Sequence, residues 1–143
     1  MRITAGTYRS RRLKSLDGNT TRPTSDKVKE AIFSSIGPYF DGGTILDLFG
    51  GSGGIGLEAI SRGMDEAYIC DKNIKAIEVI QENIKLLDVH DKVQVLKGDY
   101  HSVLQKLESL KFDIVFLDPP YAMDVGAEIL EFLMQHDMLY KHS

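Results

Sequence analysis

Cysteine is nearly absent from this 143-residue sequence. Cys70 is the only one, which excludes an internal disulfide and fits a reducing cytoplasm. It falls in an apolar run and reads as a small buried hydrophobe of a strand. Long apolar runs are also missing: none approaches the roughly 20 residues a helix needs to cross a bilayer, so no membrane partner is expected. Arg2 is not followed by the apolar core of a signal segment. His and Cys do not cluster at metal-ligand spacing, so no metal is expected, and His90, His101, His136 and His142 are scattered as surface residues would be. What remains is an ordinary soluble composition, long enough for one domain with a sizeable core.

The net charge of −4 argues weakly against a polyanionic partner, but its distribution reverses the argument. Residues 1–29 carry Arg2, Arg9, Arg11, Arg12, Lys14, Arg22, Lys27 and Lys29 against Asp17 and Asp26, a balance of +6, which leaves −10 for the remainder. A basic arm on an acidic body is a footprint for binding nucleic acid.

Two stretches organise the rest. The first is the apolar run 112–117, rich in β-branched and aromatic residues and read as a buried strand. It ends at Asp118-Pro119-Pro120-Tyr121, where two prolines without N–H donors stop the ladder. This places a carboxylate and an aromatic ring at the carboxyl end of a strand, the edge where open α/β sheets bind ligands. The second is a strand over 44–49, then Gly50-Gly51-Ser52-Gly53-Gly54-Ile55-Gly56, then a helix through Arg62. Glycines allow close approach of a ligand to the backbone, and a helix start offers unpaired N–H groups. The spacing of Gly51, Gly53 and Gly56, with Asp71 about 20 residues on, also fits a dinucleotide fingerprint. The loop alone therefore does not separate a nicotinamide oxidoreductase from a methyltransferase.

Taken in order, residues 2–14 read as a small β-hairpin or extended arm. A helix starts near Asp26, capped by Thr24 or Ser25, with Val28, Ala31, Ile32, Ser35 and Ile36 as its expected inner face up to Gly37-Pro38. Strands over 66–71 and 92–97 alternate with a helix capped by Asn73, whose expected inner face is Ile74, Ile77, Ile80, Ile84 and Leu87. Val103, Leu104, Leu107 and Leu110 line the next helix, and Val125, Ile129, Leu130 and Leu133 the last. This alternation predicts an α/β fold, a parallel sheet with right-handed crossovers. Asp47, Asp71, Asp99 and Asp118 all fall at strand carboxyl ends, around one expected crevice.

These motifs together resemble the class I S-adenosylmethionine-dependent methyltransferases, and within them the bacterial 16S rRNA guanine-N2 methyltransferases. The matching stretches are Met1-Arg2-Ile3-Thr4-Ala5-Gly6, Arg22-Pro23-Thr24-Ser25-Asp26-Lys27-Val28-Lys29-Glu30, Leu46-Asp47-Leu48-Phe49-Gly50-Gly51-Ser52-Gly53, Gly56-Leu57-Glu58-Ala59 with Ser61-Arg62-Gly63, and Asp118-Pro119-Pro120-Tyr121. The resemblance implies a Rossmann-like sheet in the order 3-2-1-4, with a basic arm over 1–21 and a cofactor-binding domain over 22–143. The family has further strands after the last helix here, so the chain is expected to be a shortened form. Its fourth strand is then expected to expose Ile114, Val115, Phe116 and Leu117 and to favour self-association.

The same resemblance implies the site. Asp47, Phe49, Gly50, Gly51, Ser52 and Gly53 would cradle the methionine part of S-adenosylmethionine. Asp71 would accept the ribose hydroxyls, and Asp99 the adenine amine, with Tyr100 beside the ring. Arg22 and Thr24 would close over the cofactor. Asp118 and the Pro119 carbonyl would accept the two N–H bonds of the guanine amine, within the rigid corner that Pro120 completes, while Tyr121 stacks on the base. Arg2, Arg9, Arg11, Arg12 and Lys14 would hold RNA, either free 16S rRNA or an assembling small subunit. A DNA-adenine or protein-glutamine target, another rRNA and a non-catalytic RNA-binding form are the alternatives.

Overall fold

The computed structural model describes residues 1–15, 26–117 and 125–139. The elements are α1 (Asp26–Ile36), β1 (Thr44–Asp47), α2 (Gly54–Ser61), β2 (Glu66–Asp71), α3 (Ile74–Leu87), β3 (Val93–Lys97), α4 (Tyr100–Lys106), β4 (Ile114–Phe116) and α5 (Gly126–Gln135). The four strands are parallel in the order β3-β2-β1-β4, as expected. β1 is central, with Leu46 in register with Tyr68 on one side and Val115 on the other.

Alternate strand residues point to opposite faces of a sheet. Ile45, Ala67 and Ile69 accordingly enter a core with Phe33 of α1, Leu57 of α2 and Ile80 and Ile84 of α3. Leu46 and Cys70 enter a second core with Val103 and Leu104 of α4 and Ile129 and Leu133 of α5. Both faces are covered, as a parallel sheet requires. No helix among the described residues is long and apolar enough to cross a membrane.

The arm folds back on itself: Arg2 bridges Arg12 in antiparallel fashion, Ile3 N–H donates to Arg11 at 3.0 Å, and Leu13 N–H donates to Met1 at 2.9 Å. Ile3 and Leu13 join the first core, so the arm is packed on the sheet layer beneath it.

Three helix faces differ from expectation. On α1 the buried residues are Lys29 and Phe33, whereas Val28 and Ile36 are 51% and 49% exposed. The reason lies on α2. Its all-buried surface carries Glu58, which pairs with Lys29 at 3.3 Å, while the guanidinium of Arg62 sits 5.0 Å over the Phe33 ring. The helix is rotated to satisfy a buried carboxylate rather than to bury its aliphatic stripe. Ile74 on α3 and Leu130 on α5 are likewise about half exposed. Ile74 is the first residue of α3, and Leu130 lies off the face that α5 buries through Ile129 and Leu133.

β1 and β4 are shorter than the expected runs over 44–49 and 112–117, although the Leu48 N–H still donates to Phe116 at 3.4 Å beyond the end of β1. β4 lies at the sheet edge. Its approach is partly covered, since Asp113 N–H donates inward to Thr44 at 2.9 Å while Phe112 N–H donates outward to Met138 at 2.7 Å. Leu139 forms a parallel bridge with Phe112. The expected cap of α1 by Thr24 or Ser25 lies outside the described residues. Asp26 in its first turn accepts the Arg2 N–H at 2.9 Å.

Candidate cofactor site

The strand order sets the crevice. β1 has neighbours reached by connections in opposite directions, so the carboxyl ends of β1 and β4 mark the switch point of the sheet, where open parallel sheets take ligands. Asp47 closes β1 and is 1% exposed. The loop that follows is fixed by the backbone: Gly50 N–H donates to Cys70 at 2.8 Å, and Gly53 N–H to Gly50 at 2.8 Å. A Cβ on Gly50 would lie 2.4 Å from Ile69 Cγ2, so only glycine lets the loop pass this close to β2. Gly51 is left-handed at φ 58°, and a Cβ there would meet none of the described residues within 4 Å. The loop is tight against the sheet at Gly50 and clear of the described residues at Gly51. α2 then starts from Gly53 with no side-chain cap, which leaves its first N–H groups for an anionic or polar ligand.

Asp71 closes β2 beside this loop. Its Oδ2 accepts the Gly51 N–H at 3.0 Å and its Oδ1 accepts the Asn73 N–H at 2.9 Å. A carboxylate has about four acceptor sites, so two further donors can be taken from a ribose. Asn73 in turn caps α3, accepting the Lys75 N–H at 2.9 Å. Asp99 caps α4 through Ser102 N–H at 2.9 Å, and that bond is the first cause holding its carboxyl below the usual value. The Tyr100 ring lies 6.1 Å from Phe49, and its hydroxyl reaches Glu128 of α5 at 3.3 Å. Burial, then Glu128, raises the Tyr100 pKa. The loop after β1 and the start of α4 thus present two aromatic rings where an adenine was expected. Burial also pushes the Cys70 thiol up, with Asp47 and Asp71 adding to it, so Cys70 is an inert core residue.

Of the expected site residues, Asp47 and Asp71 are the last residues of β1 and β2, Phe49, Gly50, Gly51, Ser52 and Gly53 lie on the loop after β1, and Asp99 and Tyr100 at the start of α4 after β3. Arg22, Thr24, Asp118, Pro119, Pro120 and Tyr121 lie outside the described residues. Arg2, Arg9, Arg11, Arg12 and Lys14 are exposed. Two of these also hold the arm to α3: Arg11 Nη2 donates to the Leu86 carbonyl at 2.6 Å, and Lys14 pairs with Glu82 at 2.8 Å.

Two residues of consequence had no assigned role. Glu58 accepts from Thr4 N–H at 2.9 Å, Ala5 N–H at 3.2 Å and Arg62 Nε at 2.8 Å, besides its pair with Lys29. Its signal was a lone acid in an otherwise uncharged helix. Asn83 is wholly buried; its signal was an amide at a core position, between Ile80 and Ile84, on the apolar face of α3.

Residues 1–143 match the family described as conserved hypothetical protein 95. The chain belongs to that family. It is 43% identical over 141 residues to the Bacillus subtilis protein named "Putative rRNA methyltransferase YlbH", covering 97% of this chain and 77% of that one. It is 30% identical to the Haemophilus influenzae ribosomal RNA small subunit methyltransferase D over 97% of this chain and 73% of that protein. Among solved structures, the one named "Putative methyltransferase yhhF from Escherichia coli" superposes with a TM-score of 0.84 at 28% identity, over 98% of this chain and 75% of that one. The sheet order and these neighbours make the fold the Rossmann-like one of class I methyltransferases.

Proposed function

We propose that this chain transfers a methyl group from S-adenosylmethionine to the exocyclic N2 amine of a guanine in 16S rRNA. The observation that carries the reading is the junction of Gly51 with Asp71, in which a carboxylate is fixed at 3.0 Å from a glycine loop that is clear of the described residues at Gly51. Such a junction suits a ligand with a ribose and a charged tail. The relatives named as rRNA methyltransferases support the substrate class.

The residues fit this cofactor. The loop over 47–53 and the start of α2 would receive the methionine part, Asp71 the ribose hydroxyls, and Phe49, Tyr100 and Asp99 the adenine. The cofactor supplies an electrophilic methyl on a sulfonium. The protein's task is then to position a weak nucleophile, because the guanine amine has its lone pair delocalised into the ring. Asp118 and the Pro119 carbonyl accept the two N–H bonds of that amine, which orients it and raises electron density on nitrogen. Tyr121 stacks on a base drawn out of its helix, worth about 1–3 kcal/mol. Arg22 and Thr24 close over the site, and the arm holds the RNA backbone. No metal and no covalent nucleophile take part in this scheme.

Asp118→Ala tests the reading. It should keep affinity for S-adenosylhomocysteine, measured by calorimetry, and lose most transfer of labelled methyl to 16S rRNA. Transfer at the parent rate would remove Asp118 from the chemistry. A methyl mapped to another atom would overturn the guanine-N2 assignment. Running the assay with free rRNA and with ribosomal proteins present distinguishes the two substrate forms.

A further inference from the structure

Asn83 ties the basic arm to the glycine loop. Its Oδ1 accepts the Lys14 N–H at 2.7 Å, and its Nδ2 donates to the Lys14 carbonyl at 2.9 Å and to the Ser52 carbonyl at 2.9 Å. One side-chain amide thus pairs with both backbone groups of an arm residue, as a neighbouring strand would, and uses its remaining N–H on the loop. An amide nitrogen has two hydrogens, and both are engaged. The side chain is 0% exposed, so neither the arm nor the loop can leave Asn83 without stranding a buried polar group. The arm is fastened along the same helix by Arg11 to Leu86 and by Lys14 to Glu82. Ser52 is itself buried and directly follows Gly51, where an added Cβ would meet none of the described residues within 4 Å.

We propose that Asn83 is a positioning residue that couples two binding events, so that a ligand in the glycine loop tightens RNA on the arm and RNA on the arm tightens the loop's ligand. This rests on the reading of the loop as the S-adenosylmethionine site and of the arm as an RNA surface. A ligand that restricts one member of a shared junction leaves less ordering for the second ligand to impose, which gives positive cooperativity without a change of fold. Linkage makes the effect equal in both directions.

The experiment uses the full chain, S-adenosylhomocysteine and a 16S rRNA transcript. Saturating RNA should tighten S-adenosylhomocysteine about fivefold or more, the low end of typical coupling, and the nucleoside should tighten RNA by the same factor. Hydrogen exchange should slow at the Lys14 N–H when S-adenosylhomocysteine alone is bound. Asn83→Ala should bring the coupling factor to about one while both ligands still bind. A purely structural Asn83 would instead weaken both ligands and leave that factor unchanged. Should Asn83→Ala fail to fold, the wild-type coupling and the Lys14 exchange decide the matter. If the wild type binds both ligands independently, the coupling is overturned and the proposed function stands. If S-adenosylhomocysteine does not bind at all, both fall.

Discussion

Asp71 Oδ2 accepts the Gly51 N–H at 3.0 Å, so the carboxylate expected to hold the ribose also shapes the loop expected to hold the methionine. The two tasks are separable by substitution. Asp71→Asn can present its amide oxygen to Gly51, but it sets an NH2 against the Asn73 N–H and lacks the charge that strengthens bonds to the ribose hydroxyls. Asp71→Ala loses both. Hydrogen bonds to a charged group contribute about 1.5–3 kcal/mol each. Asp71→Ala should therefore weaken S-adenosylhomocysteine at least about tenfold, with Asp71→Asn in between. Unchanged affinity of Asp71→Ala by calorimetry would remove Asp71 from the cofactor site.

Glu58 is the point where the arm, α1 and α2 meet. Lys29, Arg62 and Glu58 are all buried, and the Lys29 ammonium also bonds to the Arg2 carbonyl. Removing the carboxylate takes the paired acid from buried Arg62 and leaves buried Lys29 with Asp26 at 3.5 Å, a change that costs about 3–5 kcal/mol. Glu58→Ala should lower the urea midpoint by a corresponding amount, and amide exchange at Thr4 and Ala5 should accelerate. A midpoint within error of the parent would show that water replaces the carboxylate at this site.

Strand positions were legible in the sequence because apolar runs such as Ile45-Leu46 and Ile69-Cys70 sit between polar turns, whereas their order came from the resemblance to class I methyltransferases, since right-handed crossovers allow more than one order. The cap at Asn73 was legible for the same local reason. The inner face of α1 was not. Periodicity ranks Val28 and Ile36 as core and Lys29 as surface, since it sees only side-chain polarity. The partner that draws Lys29 inward, Glu58, is 29 residues away in the chain. Asn83 was hidden for a related reason, because its partners Lys14 and Ser52 are backbone groups that no residue type announces. The corrected face has a measurable consequence. Phe33→Ala should cost about 3–5 kcal/mol, whereas Val28→Ser should stay within about 0.5 kcal/mol. Denaturation of both variants decides it; a larger loss for Val28→Ser would restore the aliphatic stripe as the buried face.

The arm's cations do not all have the same task. Arg11 reaches the Leu86 carbonyl at the end of α3, and Lys14 pairs with Glu82, so replacing either disturbs the seat of the arm as well as its charge. Arg9 and Arg12 are exposed and offer a cleaner test of nucleic-acid binding. Removing one cation–phosphate pair should lower the slope of log affinity against log salt by about one unit. Arg9→Ala with Arg12→Ala should therefore weaken 16S rRNA binding and flatten the slope by about two units. Exposed substitutions of this kind should change folding stability by no more than about 0.5 kcal/mol. S-adenosylhomocysteine affinity measured without RNA should stay at the parent value, because neither arginine reaches the loop. Binding isotherms at several salt concentrations, with a thermal melt as control, check all three. An unaltered slope with weakened binding would place these arginines on bases or protein rather than phosphates. An unaltered slope with unaltered binding would take this face of the arm out of the RNA interface.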